Sequence, residues 1–142
     1  MAQIGLLEDN TRIAKLCSTM LQYAGHHVIV YNHPQACLDA LLPSAQHLWP
    51  DAIEESKTPD VLILDLHLPD IPGLEVLRSL RSHPSTSSLP LIFCTAATPA
   101  EIKQALSVAP QASFIEKPFT FQGLIQTIQQ VLDSDQAIGA DD

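Results

Sequence analysis

VLILDLHLPDIPG, residues 61–73, is the stretch whose reading decides the fold. Four apolar residues come first, and two of them, Val61 and Ile63, are β-branched. Pro59-Asp60 bounds the run on one side and a Pro/Gly-rich loop at 69–73 on the other. Such a run reads as a short strand buried on both faces. It ends on Asp65. In open α/β sheets, ligands bind beyond the carboxyl ends of the strands. A buried carboxylate is costly unless it is paired or metal-bound, so an acid here calls for a compensating group. Asp is also common where a strand meets a turn, and a plain turn starter is the other reading of this residue.

Upstream, residues 3–7 (QIGLL) read as a first strand that ends at Glu8-Asp9. Asn10 is placed to cap a helix over 11–24, and Gly25 to close it. Ile13, Leu16, Cys17, Met20 and Leu21 share one face of that helix. Residues 27–31 (HVIVY) read as a second strand. Pro34 suits the first turn of a second helix carrying Ala36, Cys37, Leu38, Leu41 and Leu42. The segment 43–59 holds Pro43, Trp49, Pro50 and the acids Asp51, Glu54 and Glu55, and reads as an elongated, partly irregular arm.

Downstream, residues 74–83 read as a helix with Leu74, Leu77 and Leu80 inward and Arg78 and Arg81 outward. A fourth strand covers 91–95 (LIFCT), and Pro99 opens a helix to 108 that Pro110 closes. A fifth strand covers 112–116 (ASFIE), followed by a last helix over 119–132. Residues 1–133 are expected to form one domain, and 134–142 an acidic, flexible tail with no output domain after it.

The bulk numbers agree with one compact α/β domain: 142 residues, 46% of them hydrophobic. A formal net charge of −9 leaves too few cations for a general nucleic-acid binder, so no direct nucleic-acid contact is expected. No apolar run is long enough to span a membrane, and MAQIGLLEDN makes a poor signal peptide, so a cytoplasmic protein is expected. Cys17, Cys37 and Cys94 lack metal-ligand spacing and read as buried free thiols. His26, His27, His33, His47 and His83 also lack ligand spacing and read as surface residues.

Five β-α alternations call for a parallel sheet with helices on both faces. The carboxyl ends of strands one, three, four and five then carry Glu8-Asp9, Asp65, Thr95 and Lys117. Three carboxylates close together repel one another and need a cation. Their hard oxygens suit Mg²⁺, which keeps several waters and often binds a phosphate oxygen as well. Lys117 offers a point charge and Thr95 a hydroxyl. Phosphoryl transfer needs a positioned nucleophile and positive charge around the equatorial oxygens. An Asp is a competent nucleophile that yields an acyl phosphate.

With these motifs the sequence resembles the receiver domain of two-component response regulators. Glu8-Asp9, LILDLHLPDIPG around Asp65, Thr95-Ala96 and Lys117-Pro118-Phe119 carry the resemblance, which covers about residues 3–132. It implies a flavodoxin-like, doubly wound (βα)5 fold with strand order 2-1-3-4-5. Asp65 would be the phosphoacceptor, fed by a histidine kinase or a histidine phosphotransfer protein. Glu8, Asp9, Asp65 and the backbone carbonyl of His67 would hold Mg²⁺. Thr95 and Lys117 would contact the phosphoryl group. Phe114, three residues before the lysine, would be the switch aromatic, repacking with Thr95 and reshaping the surface of the fourth helix, fifth strand and fifth helix for a downstream protein or a homodimer. The Lys117-Pro118 peptide would be cis.

The chain departs from the common pattern in places. Glu8-Asp9 stands for the commoner Asp-Asp pair, APQAS precedes the fifth strand where a Gly-Ala-Asp turn is frequent, and the 43–59 arm is long. His67 and Ala97 occupy positions that in the family tune hydrolysis. Neither offers a carboxylate or amide to orient water, so a comparatively long-lived acyl phosphate is expected. The other reading of His67 is a loop histidine with no role beyond its carbonyl. Two further readings stand beside the receiver. One is a degenerate receiver that binds proteins without phosphorylation. The other is a haloacid dehalogenase-type phosphatase, which would want a second Asp where His67 stands and its nucleophile after the first strand.

Overall fold

The computed structural model describes residues 2–42, 59–66, 72–84, 86–95, 98–116 and 120–140, with backbone alone for 95, 116 and 134–140. Along the chain run β1 (Gln3–Leu7), α1 (Thr11–Tyr23), β2 (His27–Tyr31), α2 (Pro34–Leu41), β3 (Val61–Leu64), α3 (Gly73–Arg81), β4 (Leu91–Thr95), α4 (Pro99–Val108), β5 (Ser113–Glu116) and α5 (Phe121–Ala140). The strands form one sheet in the order β2-β1-β3-β4-β5, and every pair is parallel. This is the doubly wound order expected from the sequence.

β3 sits in the middle, and its four side chains are at most 1% exposed. Successive residues face opposite sides of the sheet. Leu62 and Leu64 join a core with Leu7, Phe93 and the inner faces of α2, α3 and α4. Val61 and Ile63 join a second core with Ile4, Ile92 and the inner faces of α1 and α5. A strand that must bury both faces reads as an uninterrupted apolar run, and this one does.

Local signals set the helix ends. The Asn10 side chain accepts bonds from the backbone N–H groups of Arg12 and Ile13 at 3.0 and 3.1 Å, capping α1. Gly25 follows the helix with φ at 96°, a conformation that suits a residue without Cβ. Pro34 opens α2, with the His33 ring accepting from the Gln35 N–H at 3.3 Å. Thr98 and Glu101 form a reciprocal capping box that fixes the start of α4: the Thr98 N–H donates to Glu101 at 2.8 Å, and the Glu101 N–H donates to Thr98 at 3.3 Å.

Several expectations are corrected. Leu16 is 53% exposed, and Ala14 takes its place on the buried face of α1. Ala36 is exposed on α2. α3 starts one residue earlier than expected and buries Val76 beside Leu77 and Leu80, while Leu74 is half-buried. Its inward stripe is wider than the three leucines alone suggest. Arg81 turns back instead of pointing out: it is half-buried and its Nη1 donates to the Thr86 carbonyl at 3.0 Å. His33 is exposed, as expected, while His26 is half-buried. His33 caps α2, and His26 accepts from the Ala2 N–H at 3.3 Å.

α5 does not stop at 132 but continues to Ala140, so most of the expected flexible tail is helix. No proline follows Leu132, and the Gln129 amide donates to Asp133 one turn on at 2.9 Å, which carries the helix past the end of its apolar pattern. The arm at 43–58, Trp49 included, lies outside the described residues. All three cysteines are buried free thiols. Burial pushes the Cys37 thiol up to about 12, so it packs as a neutral apolar group. Among the described residues, no helix is long and apolar enough to cross a membrane.

Candidate functional site

Strand register assembles the site. Leu7 pairs with Leu64 across β1 and β3, so the next residue on each strand, Glu8 and Asp65, stands at the same level on the carboxyl edge of the sheet. Neighbouring strands are about 4.8 Å apart, which makes the two acids neighbours. On the other side Leu64 pairs with Phe93, which sets Thr95 at the end of β4, one step beyond the level of Asp65. Thr95 pairs in turn with Glu116, the residue before Lys117.

Burial separates the three acids. Glu8 is 4% exposed and Asp65 is 7% exposed, and among the described residues they are the only buried charged side chains. Asp9 is exposed, at the rim. The Glu8 backbone N–H donates to the Tyr31 carbonyl at 3.2 Å, continuing the β1–β2 ladder past the strand. Its Oε2 accepts from the Asn10 N–H at 3.2 Å. The residue that caps α1 therefore also tethers the buried acid two positions before it.

Gly73 sets the floor beside Asp65. Its N–H donates to the Leu66 carbonyl at 3.1 Å, closing the β3–α3 connection. A Cβ on Gly73 would lie 2.6 Å from the Leu66 Cα and 2.7 Å from the Asp65 carbonyl oxygen, closer than side chains pack against backbone. The first turn of α3 comes this near the phosphoacceptor candidate only because residue 73 has no side chain. The sequence reading marked this loop as Pro/Gly-rich without seeing the close approach. It also missed the Thr98–Glu101 capping box, although its T-x-x-E signal was present in the chain.

Phe114 lies on β5, the edge strand, paired with Phe93. It is 44% exposed, while Phe93 is fully buried. His67, Ala97, Lys117 and Pro118 lie outside the described residues, and the expected Lys117-Pro118 cis peptide lies there with them.

Among the described residues, no three His, Cys, Asp or Glu side chains come together as a group that could hold a metal ion, so Glu8, Asp9 and Asp65 do not form one here. Two buried acids at neighbouring strand ends and a third at the rim are the arrangement found instead. Mg²⁺ dehydrates reluctantly, usually keeps several waters and binds through one or two carboxylates. Glu8 and Asp65 supply carboxylates of that number, too few for calcium, which takes more protein oxygens.

Comparison with known proteins bears on the same region. A family model described as the response regulator receiver domain matches residues 4–129. The response regulator ArlR of Staphylococcus epidermidis is 32% identical over 132 residues, which are 93% of this chain and 53% of ArlR. The probable transcriptional regulatory protein TcrX of Mycobacterium tuberculosis is 26% identical over 127 residues, 89% of this chain and 48% of TcrX. The chain thus spans about half the length of the curated relatives it matches. Among solved structures, the chemotaxis protein CheY4 of Vibrio cholerae superposes with a TM-score of 0.75 at 26% identity, covering 93% of this chain and 99% of CheY4. A response regulator receiver domain protein from Clostridium thermocellum superposes at 0.75 with 20% identity over 97% of this chain and 99% of that one, a likeness of fold. The matched region runs from β1 into the first half of α5, with both buried acids inside it, and the chain belongs to the response regulator receiver domain family.

Proposed function

We propose that the chain is a phosphoacceptor of a two-component or phosphorelay system, with Asp65 as the residue that is phosphorylated. One observation carries the reading: among the described residues the only buried charged side chains are two acids at the carboxyl ends of adjacent central strands. Burying two like charges side by side is costly, and a site that receives a cation and a phosphoryl group repays that cost.

In this reading an Asp65 carboxylate oxygen attacks phosphorus. The bond from phosphorus to the donor, a phosphohistidine nitrogen of a kinase or phosphotransfer protein, breaks, and the electron pair leaves with the donor. Glu8, Asp9, Asp65 and the His67 carbonyl would hold Mg²⁺, which supplies positive charge next to the phosphoryl oxygens. Lys117 and Thr95 would contact the phosphoryl group, each from the end of its own strand. Gly73 lets the start of α3 pack against the Asp65–Leu66 backbone, held by the Gly73 N–H to Leu66 carbonyl bond.

The phosphoryl group would then bias a two-state surface made of α4, β5 and α5. Charge-assisted bonds to Thr95 would favour the state in which Phe114 leaves solvent. Phe has no hydroxyl, so packing alone distinguishes its two positions. A downstream protein, or a second copy of the chain, would read that surface. This is signalling chemistry, with turnover limited to gain and loss of the chain's own phosphoryl group.

The test is intact mass after incubation with acetyl phosphate and Mg²⁺. One phosphoryl group is expected in the natural chain and none in Asp65→Asn or after chelation. No gain under conditions that label another receiver would support the degenerate, phosphorylation-independent module instead. The labelled protein also tests the lifetime expected from His67 and Ala97: phosphate loss should quicken in Ala97→Glu, and an unchanged rate would count against that role.

A further inference from the structure

At the amino-terminal edge of the sheet, away from the acids, lies an open cavity of about 770 Å³. Its walls come from the α3–β4 connection, the α4–β5 turn and α5. Half-buried Val108 and Val131 give it apolar surface, and Ser87, Ser88, Gln111, Ser113 and Gln130 line it as well. Arg81 is the one charged residue among those lining it. That guanidinium is half-buried, and among the described residues its one recorded bond is to the Thr86 carbonyl. Thr86 is itself fully buried, and its hydroxyl donates to the Leu80 carbonyl, which holds this wall in place.

The arrangement is unusual for a chain of net charge −9. A guanidinium offers five N–H donors in a planar fork that matches a carboxylate. One donor is occupied by a neutral carbonyl. Burial lowers the affinity of this group for its proton, which an anion in the cavity would reverse. The volume falls within the range of small-molecule sites. A single positive charge matches a monoanion better than a dianionic phosphate, and the two valines offer surface to a short hydrocarbon tail.

We infer that this cavity is a binding site for a small monocarboxylate with a short apolar tail, the carboxylate on Arg81 and the tail along Val108 and Val131. The site is separate from Asp65 and does not depend on phosphorylation. Its walls include the turn that leads into β5, so occupancy would bear on the same face that carries Phe114.

Hexanoate is a suitable probe, titrated into the ¹⁵N-labelled chain, with acetate, hexan-1-ol and inorganic phosphate in parallel. Eight heavy atoms at the efficiency of small ligands put the Kd on the order of 1 mM. Saturable shifts are expected at residues 87–91, 108–113 and 130–131, unchanged in Asp65→Asn. Arg81→Gln should weaken hexanoate about tenfold, and Arg81→Lys less, because the point charge remains. If Arg81→Gln fails to fold, the parallel probes on the natural chain decide. Binding of hexan-1-ol as tight as hexanoate removes the role of Arg81, and equal binding of acetate or phosphate removes the role of the apolar walls. Absence of saturable shifts, or shifts elsewhere, also overturns the assignment.

Discussion

β3 and β5 are both four-residue strands of the same sheet, yet they are built differently. β3 lies between two strands and two helical layers, and all its side chains are buried. β5 lies at an edge, and its aromatic residue, Phe114, is 44% exposed beside a fully buried Phe93. A strand fixed on both faces can hold a carboxylate at a set level. A strand with one loose aromatic can take up a second packing at small cost. The proposed division of labour follows: β3 receives the signal and β5 displays it.

The sharpest way to break the comparison is to truncate one residue on each strand. Ile63→Ala removes packing from a site that cannot collapse, and is expected to cost about 2–5 kcal/mol in urea unfolding. Phe114→Ala should cost about 1 kcal/mol or less, because much of the ring is already in water. Equal losses would mean that β5 is as firmly packed as β3. Gly73→Ala comes next. The new Cβ meets backbone rather than a flexible side chain, so about 1–3 kcal/mol of destabilisation is expected. Its labelling by acetyl phosphate should fall as well, which a purely structural role for Gly73 would not require.

The smallest effect concerns pH. Burial lowers the proton affinity of His26, whose ring accepts from the Ala2 N–H. The folded state therefore binds fewer protons than the unfolded one. The contribution is fully present above the ordinary histidine value of about 6.5 and is lost as pH falls through the lower folded value. The stability gap between the natural chain and His26→Gln should shrink on acidification below about pH 6.5 in unfolding curves. A gap that is constant or grows would contradict the assignment. His26 precedes β2, at the opposite edge of the sheet from β5, so this change should leave Phe114 untouched.

How legible each region was follows from the same physics. β3 could be read directly, because burial on both faces forces an apolar run with nothing else in it. Asp65 and Glu8 could be placed because parallel register brings strand ends together whatever the loops do. Asn10 and Pro99 were visible as helix starts. What escaped were features that depend on neighbours distant in sequence: the backbone against Gly73, the turned-back Arg81 and the ring of His26. Leu16 escaped differently, since an apolar residue at helical spacing on α1 is indistinguishable from a core residue until its neighbours are placed. The end of α5 was missed because its apolar pattern stops before its hydrogen bonding does.

The most direct measurement follows Phe114 and the β3 amides by NMR before and after acetyl phosphate and Mg²⁺, with phosphorylation verified by mass in the same sample. The account predicts that the Phe114 ring signals and the Ser113–Glu116 amides shift while Val61–Leu64 keep their exchange protection, and that Asp65→Asn shows neither change. A fully phosphorylated chain whose Phe114 signals stay where they were would contradict it.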